Sequence, residues 1–285
     1  MASQDTGETL PKSVEKDFDT TPEEVAMPTA PVNGIQLYYE VYGDGPRTKV
    51  FAHGAGGNHL SWWQQVPYFC QRYRCITFGH RGFYGSVDAP NGPGSDAFME
   101  DLGALLDHLE ARDAVLVGQS MGGLACFGLA LKQPARVKAL VMADTVIGIP
   151  SKPVCEALIS AWRRRQPGDP GPIISTPPFS EREPGRAFLQ DQVRNLNPEN
   201  PLGQNGLRRM VESLPDLNLS AFSVPTLFVF GTDDVAIPPE LGRLAQTIVP
   251  GSRYCEIPKA GHSAHWERPE EFNRILAEFL QQVGY

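Results

Sequence analysis

The chain has 285 residues, of which 41% are hydrophobic and 20% are charged, a composition typical of one large globular α/β domain or of two small ones. Its 33 acidic side chains outnumber the 25 basic ones, so the net charge is −8. Nucleic acids and anionic membranes attract the opposite sign of charge, and we therefore expect neither as a partner.

Five cysteines are scattered along the chain without a C-x-x-C pair, which favours reduced thiols over a disulfide framework. The N-terminus carries no apolar signal sequence, and no run of residues is long and apolar enough to cross a bilayer. These features predict a cytoplasmic protein.

The first 31 residues are polar, acidic and rich in proline and threonine, which predicts a mobile tail. From Ile35 the stretch GIQLYYEVYGDGPRTKVFAHG predicts two strands on either side of a turn at residues 43–46. A helix is expected over residues 60–73, followed by a short buried strand in RCITFGH.

Strands alternate with helices through the rest of the chain. Ser95 or Asp96 is placed to cap a helix whose apolar residues recur at spacings of three and four. The strand AVLVGQ, the helix GLACFGLALKQ and the strand RVKALVMADT follow, and two later strands lie in TLFVFGTDD and SRYCEIP. An amphipathic helix over residues 270–282 closes the chain. This order predicts a mostly parallel sheet with helices on both faces.

The segment from about residue 148 to residue 223 interrupts this alternation. It is rich in proline and glycine, with shorter helical patches near residues 155–165, 186–195 and 207–214. We interpret it as a lid inserted after a strand, within a single domain that spans residues 32–285.

The pentapeptide Gly118-Gln119-Ser120-Met121-Gly122 lies between a predicted strand and a predicted helix, which is the pattern of a nucleophile elbow. Such a turn is so tight that the serine is strained and its neighbours must be small. It lifts the hydroxyl to the carboxyl end of the sheet, facing the free N–H groups of a helix N-terminus. Ser120 is therefore the predicted nucleophile.

A serine hydroxyl needs a general base, and the chain order on such a sheet is serine, then acid, then histidine. Only two of the six histidines follow the elbow. His262 comes directly after the last strand and is the predicted base, with His265 as the alternative. A metal site at these two histidines is disfavoured because no further ligands cluster around them.

The acid is expected at the end of a strand on the same edge of the sheet. Asp234 is favoured, and its alternatives are Asp233 beside it and Asp144 at the end of an earlier strand. The backbone N–H groups of Ala55 and Met121 are the predicted donors to the developing oxyanion. Trp62 and Trp162 are candidates for the walls of an apolar pocket, with ordinary core packing as the alternative.

These motifs resemble the α/β-hydrolase superfamily over roughly residues 32–284. The matching pieces are H-G-A-G (53–56), G-Q-S-M-G-G (118–123), G-T-D-D-V-A-I-P (231–238) and A-G-H-S-A-H-W-E-R-P-E-E-F (260–272). The resemblance implies an eight-stranded sheet with an antiparallel second strand and a helical lid, and it assigns the acid to Asp234 and the base to His262. Two features depart from the pattern: relatives often have histidine at the position of Gln119, and the loop 79–86 lacks a customary aspartate.

The resemblance is to serine esterases and lactonases such as enol-lactone hydrolases. A serine nucleophile disfavours the haloalkane dehalogenase and epoxide hydrolase branches, Ser263 disfavours hydroxynitrile lyases, and Ala55 disfavours perhydrolases. The resemblance to esterases and lactonases implies that the protein cleaves a carboxylic ester or a lactone of a small, apolar substrate through an acyl-enzyme. A C–C bond hydrolase, a lyase or cyclase, and a ligand receptor are alternatives on the same fold. We expect a small-molecule substrate, no metal and no cofactor, and the oligomeric state stays open, a homo-oligomer included.

Overall fold

The structure is a computed structural model that describes residues 27–164 and 177–285. One eight-stranded sheet has the order β1-β2-β4-β3-β5-β6-β7-β8. Its strands are β1 (Thr29–Val32), β2 (Ile35–Tyr42), β3 (Thr48–Ala52), β4 (Arg74–Phe78), β5 (Ala114–Gln119), β6 (Val137–Ala143), β7 (Thr226–Gly231) and β8 (Arg253–Ile257). Strand β2 is antiparallel to both β1 and β4, and the other neighbours are parallel. The predicted fold class and the antiparallel second strand are confirmed.

The helices are α1 (Val66–Phe69), α2 (Phe98–His108), α3 (Gly122–Lys132), α4 (Lys152–Arg163), α5 (Pro177–Arg182), α6 (Pro184–Asn195), α7 (Gly206–Glu212), α8 (Pro239–Ile248), α9 (Ala264–Glu267) and α10 (Pro269–Gln282). Short 3-10 helices span His59–Trp62, Gly94–Ala97 and Pro134–Arg136. The sheet has a hydrophobic core on each face, one formed with α2, α3 and α8 and the other with α1 and α10. Both faces are covered, which explains why β5 and β7 are apolar without alternation and buried along their whole length.

The N-terminal tail was predicted to reach residue 31, and this boundary is wrong. Residues 29–32 form β1, with Ala30 and Val32 buried against the sheet. Proline is tolerated there because Pro31 lies in an edge strand, which among the described strands pairs with β2 alone. Residues 1–26 of the predicted tail lie outside the described residues.

The single helix predicted over residues 60–73 is also wrong. The chain forms the 3-10 helix His59–Trp62 and then the short α1. Pro67 has no N–H to donate to the carbonyl four residues earlier, so a continuous helix cannot bond through this point. The predicted caps fail as well, because Ser95 and Asp96 lie inside a 3-10 helix whose backbone already bonds the first N–H of α2.

Helices α4 to α7 lie between β6 and β7, within the segment interpreted as a lid. Three of them occupy the predicted helical patches, of which residue 165 lies outside the described part of the chain. The function of this segment as a lid of one domain stays a prediction. Among the described residues no helix combines the length and the apolar character that a membrane span needs.

Candidate active site

Ser120 directly follows β5 and has a φ of +49°, in the left-handed region that a residue with a side chain rarely adopts. Its N–H donates to the carbonyl of Ala143 at 3.1 Å, and its carbonyl accepts a hydrogen bond from the Thr145 hydroxyl at 2.8 Å. The end of β6 and the residues just after it thus hold a strained conformation in place, as the elbow pattern predicts.

The glycines of the elbow are required by close backbone approach. A Cβ added to Gly118 would lie 2.8 Å from the carbonyl oxygen of Gly122, and one added to Gly122 would lie 2.4 Å from that of Ala52. Rigid backbone cannot make room at those distances. The sequence therefore folds into a strand, a one-residue turn and α3, with the N-terminus of α3 directly behind Ser120.

Ser120, His262 and Asp234 form a continuous hydrogen-bonded line. His262 Nε2 lies 2.8 Å from Ser120 Oγ, and His262 Nδ1 lies 2.8 Å from Asp234 Oδ2. All three residues are buried. The other Asp234 oxygen accepts the backbone N–H groups of Ala236 and Ile237 at 2.8 and 3.0 Å, which fixes the carboxylate against rotation.

The alternative acids occupy other places. Asp233 is exposed and accepts a hydrogen bond from the Thr232 hydroxyl. Asp144 is completely buried, and its two oxygens accept the N–H groups of Gly231 at 2.8 Å and Ala264 at 3.0 Å. Burial and the negative charge of Asp234 raise the pKa of Asp144. Asp144 thus joins the loops that carry Asp234 and His262, a role that sequence reasoning missed.

His265 is buried, with its ring centroid 4.5 Å from that of Trp62. Burial lowers the pKa of His265 to about 3, so the ring is neutral at physiological pH. Among the described residues no group of three or more histidine, cysteine or carboxylate side chains is arranged to hold a metal ion.

The predicted oxyanion donors lie beside Ser120. Gly57 N donates to the carbonyl of Gly54 at 2.9 Å and closes a turn, which we call the oxyanion turn (residues 54–57) and which contains Ala55. His53 Nε2 accepts the N–H of His80 at 2.9 Å, and burial lowers the pKa of His53 to about 4. A neutral His53 with its proton on Nδ1 therefore anchors the start of this turn. Within the described chain, neither Ala55 N nor Met121 N donates to a protein acceptor.

Gln119 is a further residue of the site whose role the sequence did not reveal. Its Nε2 donates to the carbonyl of His262 at 2.8 Å, and its Oε1 lies against the backbone of Gly54. The side chain of Gln119 therefore contacts both Gly54 in the oxyanion turn and the loop that carries His262. The only signal in the sequence was the departure from the histidine common in relatives.

A cavity of 1030 Å³ opens above Ser120 and His262. One wall comes from the sheet edge, including Ala55 and Ile237, and the opposite wall from residues 190–208 of the predicted lid. Trp162 lines the cavity and donates its indole N–H to the carbonyl of Ala236 at 2.8 Å.

The prediction that Trp62 is a pocket residue is wrong. Trp62 is fully buried beneath the cavity, with its ring centroid 5.1 Å from that of Phe51 on β3. The turn of the 3-10 helix directs this side chain into the core, where it packs with residues of α10.

A model of the alpha/beta hydrolase family matches residues 50–275. The chain belongs to this family. A Mycobacterium tuberculosis protein that carries the provisional name non-heme bromoperoxidase BpoC is 30% identical over 270 residues, covering 87% of this chain and 99% of that protein. The 3-oxoadipate enol-lactonase 2 of Acinetobacter baylyi is 28% identical and covers 90% of this chain and 97% of its own.

Among solved structures, a thermophilic esterase from Thermogutta terrifontis superposes with a TM-score of 0.71 and 28% identity, covering 90% of this chain and 97% of that one. This alpha/beta hydrolase thus has relatives along nearly its whole described length. The enol-lactonase and the esterase are hydrolases by name, whereas the Mycobacterium tuberculosis relative is named a bromoperoxidase.

Proposed function

We propose that this alpha/beta hydrolase cleaves a carboxylic ester or a lactone of a small, largely apolar substrate through an acyl-enzyme. The observation that carries the proposal is the 2.8 Å contact between His262 Nε2 and Ser120 Oγ, at the floor of a cavity. A hydroxyl in hydrogen-bond contact with an oriented imidazole is the arrangement that nucleophilic catalysis needs.

In this mechanism Ser120 Oγ attacks the substrate carbonyl while His262 Nε2 accepts the hydroxyl proton. Asp234 holds the proton of Nδ1 and stabilises the imidazolium that forms. His262 then returns the proton to the leaving alkoxide. Water, deprotonated by the same histidine, attacks the acyl-enzyme; the bond to Ser120 Oγ breaks, His262 returns the proton to Oγ, and the acid is released.

The negative charge on the tetrahedral intermediate falls near the N–H groups of Ala55 and Met121. Met121 is the first residue after the nucleophile, at the N-terminus of α3, where backbone donors have no partner within the helix. Donors fixed before the reaction stabilise the charge without reorganisation. Neither N–H group has an acceptor among the described residues, which supports this assignment.

The shape of the cavity supports the substrate class. Its lining around Ser120 includes the apolar side chains Ile147, Trp162, Ile237 and Trp266. A volume of 1030 Å³ accommodates an organic substrate larger than acetate. The names of two relatives, an esterase and an enol-lactonase, agree with this class.

The test compares wild type, Ser120→Ala and the matched control Ser263→Ala, which removes another cavity-lining hydroxyl. Each is assayed with p-nitrophenyl esters of increasing acyl length, with a series of lactones and with a fluorophosphonate label. We expect turnover and labelling in wild type and Ser263→Ala, and neither in Ser120→Ala. Labelled wild type that turns over no ester or lactone would overturn the proposal in favour of lyase, C–C hydrolase or receptor use.

A further inference from the structure

The oxyanion turn is attached at its two ends to different parts of the molecule. At its start, His53 and Gly54 follow β3, and His53 is fixed by the backbone of His80 in the core. At its end, Gly57 contacts Asn197, just beyond α6, and Asn58 contacts α6 itself, both in the predicted lid segment. The position of Ala55 N–H therefore depends on both attachments.

Asn58 makes the first contact with α6. Its side chain is completely buried, and its Nδ2 donates to the carbonyl of Val193 at 2.8 Å. The same amide's Oδ1 accepts the N–H of Leu60 at 3.0 Å and caps the 3-10 helix. Asn58 follows the oxyanion turn directly and is tied to the predicted lid through its side-chain amide. Both the nitrogen and the oxygen of this amide are hydrogen-bonded.

Asn197 makes the second contact, in the opposite direction. It lies just beyond the end of α6, and its Nδ2 donates to the carbonyl of Gly57 at 3.1 Å. Its Oδ1 accepts the N–H of Tyr84 at 3.2 Å, in the loop 79–86 that departs from the family pattern. Asn197 therefore joins the oxyanion turn, the lid and this loop.

We infer that Asn58 and Asn197 are positioning residues that hold the oxyanion turn in its working geometry only while α6 is docked. Val193 both accepts the bond from Asn58 and lines the cavity, so a substrate that displaces α6 also disturbs the turn. The expected effect on rate rests on the proposed function. The coupling between the oxyanion turn and α6 does not depend on that function.

The kinetic test uses Asn58→Ala, Asn197→Ala and the matched control Asn273→Ala. Asn273 is also buried and donates to a backbone carbonyl, that of Gln64, which is not part of the oxyanion turn. With p-nitrophenyl acetate, and with active sites counted by fluorophosphonate titration, we expect kcat of the first two variants to fall about tenfold. Removing an oxyanion donor outright costs about 10²- to 10³-fold, and a displaced donor costs less. KM should stay within twofold of the wild-type value. The midpoint of the pH profile of kcat should equal that of wild type within error.

Two further readouts separate positioning from general stability. A trifluoromethyl ketone, which forms an oxyanion adduct, should bind about tenfold more weakly to Asn58→Ala and Asn197→Ala, whereas the alcohol product should bind unchanged. The double variant should lose less than the product of the single losses, because both amides hold one contact. Variants that only lower Tm, with kcat per titrated site equal to that of Asn273→Ala, would overturn the inference.

Backbone hydrogen exchange tests the coupling independently of any activity. In Asn197→Ala, exchange should rise together in peptides covering residues 53–60 and residues 188–197. A rise in the second peptide alone contradicts the coupling. If wild type hydrolyses nothing but both peptides respond together, the proposed function fails and the coupling stands.

Discussion

The choice between Asp234 and Asp144 as the acid can be decided by replacing each carboxyl group with the corresponding amide in turn. Asp234 Oδ2 lies 2.8 Å from His262 Nδ1, which places the charges of carboxylate and imidazolium about 4 Å apart. At an effective dielectric constant of about 20, that attraction is worth about 4 kcal/mol, or roughly 10³-fold in rate. Loss of the correct imidazole tautomer adds to this, so Asp234→Asn should lower kcat by about 10³- to 10⁴-fold.

Asp144→Asn should act differently. It leaves the contact between Asp234 and His262 in place, but the new amide can accept only one of the two backbone N–H groups that Asp144 now accepts. A buried donor left without a partner costs about 1–3 kcal/mol of folding stability. We expect a lower Tm and a loss in kcat of less than about tenfold.

The assay is ester hydrolysis per titrated active site for both variants, with Tm measured alongside. A kcat loss in Asp144→Asn as large as that in Asp234→Asn would refute the reasoning. It would show that Asp144 is the acid or shares the role.

Three further predictions concern other parts of the molecule. Burial lowers the pKa of Lys49 from 10.5 to about 6, and its Nζ has no hydrogen-bond partner among the described residues, although it lies over aromatic rings. The unfolded chain therefore binds the proton between these pKa values, so stability rises with pH across that interval. Lys49→Met should raise the free energy of unfolding at pH 7 by up to about 5 kcal/mol and should abolish the extra slope of about 1.4 kcal/mol per pH unit, measured by urea unfolding. Gly122→Ala should unfold the elbow or abolish labelling, because its Cβ would lie 2.4 Å from the Ala52 carbonyl oxygen. Gln119→Met leaves the His262 carbonyl without its 2.8 Å donor and should lower kcat about tenfold at little change in KM.

Matched controls sharpen these three outcomes. Gly185→Ala, where no described residue lies within 4 Å of an added Cβ, should keep both Tm and activity. Gln64→Met removes the side-chain donor to the carbonyls of His265 and Trp266 but leaves the contact between His262 and Ser120 in place. Its kcat should therefore equal that of wild type. Equal pH slopes for wild type and Lys49→Met, a labelled Gly122→Ala of normal Tm, or equal kcat in the two glutamine variants would each contradict the corresponding argument.

The order of elements was predictable because buried parallel strands read as apolar runs and the elbow has a strict steric pattern. Residues 114–119 were predicted as a strand, and they are β5. Helix α8 was not predicted, because its start carries no residue that could cap it by its side chain. Trp62 was placed in the pocket because the sequence shows that an aromatic residue is near the site, but not the direction that a 3-10 helix gives it.

The line of contacts from Ser120 to Asp234 was foreseeable, since all three residues terminate strands or follow them at one edge of the sheet. The supporting residues were not. Asn58, Asn197 and Asp144 act through backbone carbonyls and N–H groups, whose partners are set by loop paths that a single sequence does not encode in a motif.

The two walls of the cavity differ in how their residues are distributed along the sequence. Ser120 and His262 lie on widely separated stretches of the chain, whereas most lining residues of the opposite wall come from one stretch, residues 190–208. A recombination event that exchanges this single stretch between relatives can change which molecules fit without altering the proton transfers beneath. For protein engineering, residues 190–208 are a short segment in which mutations can vary the substrate range while Asn197 is left unchanged.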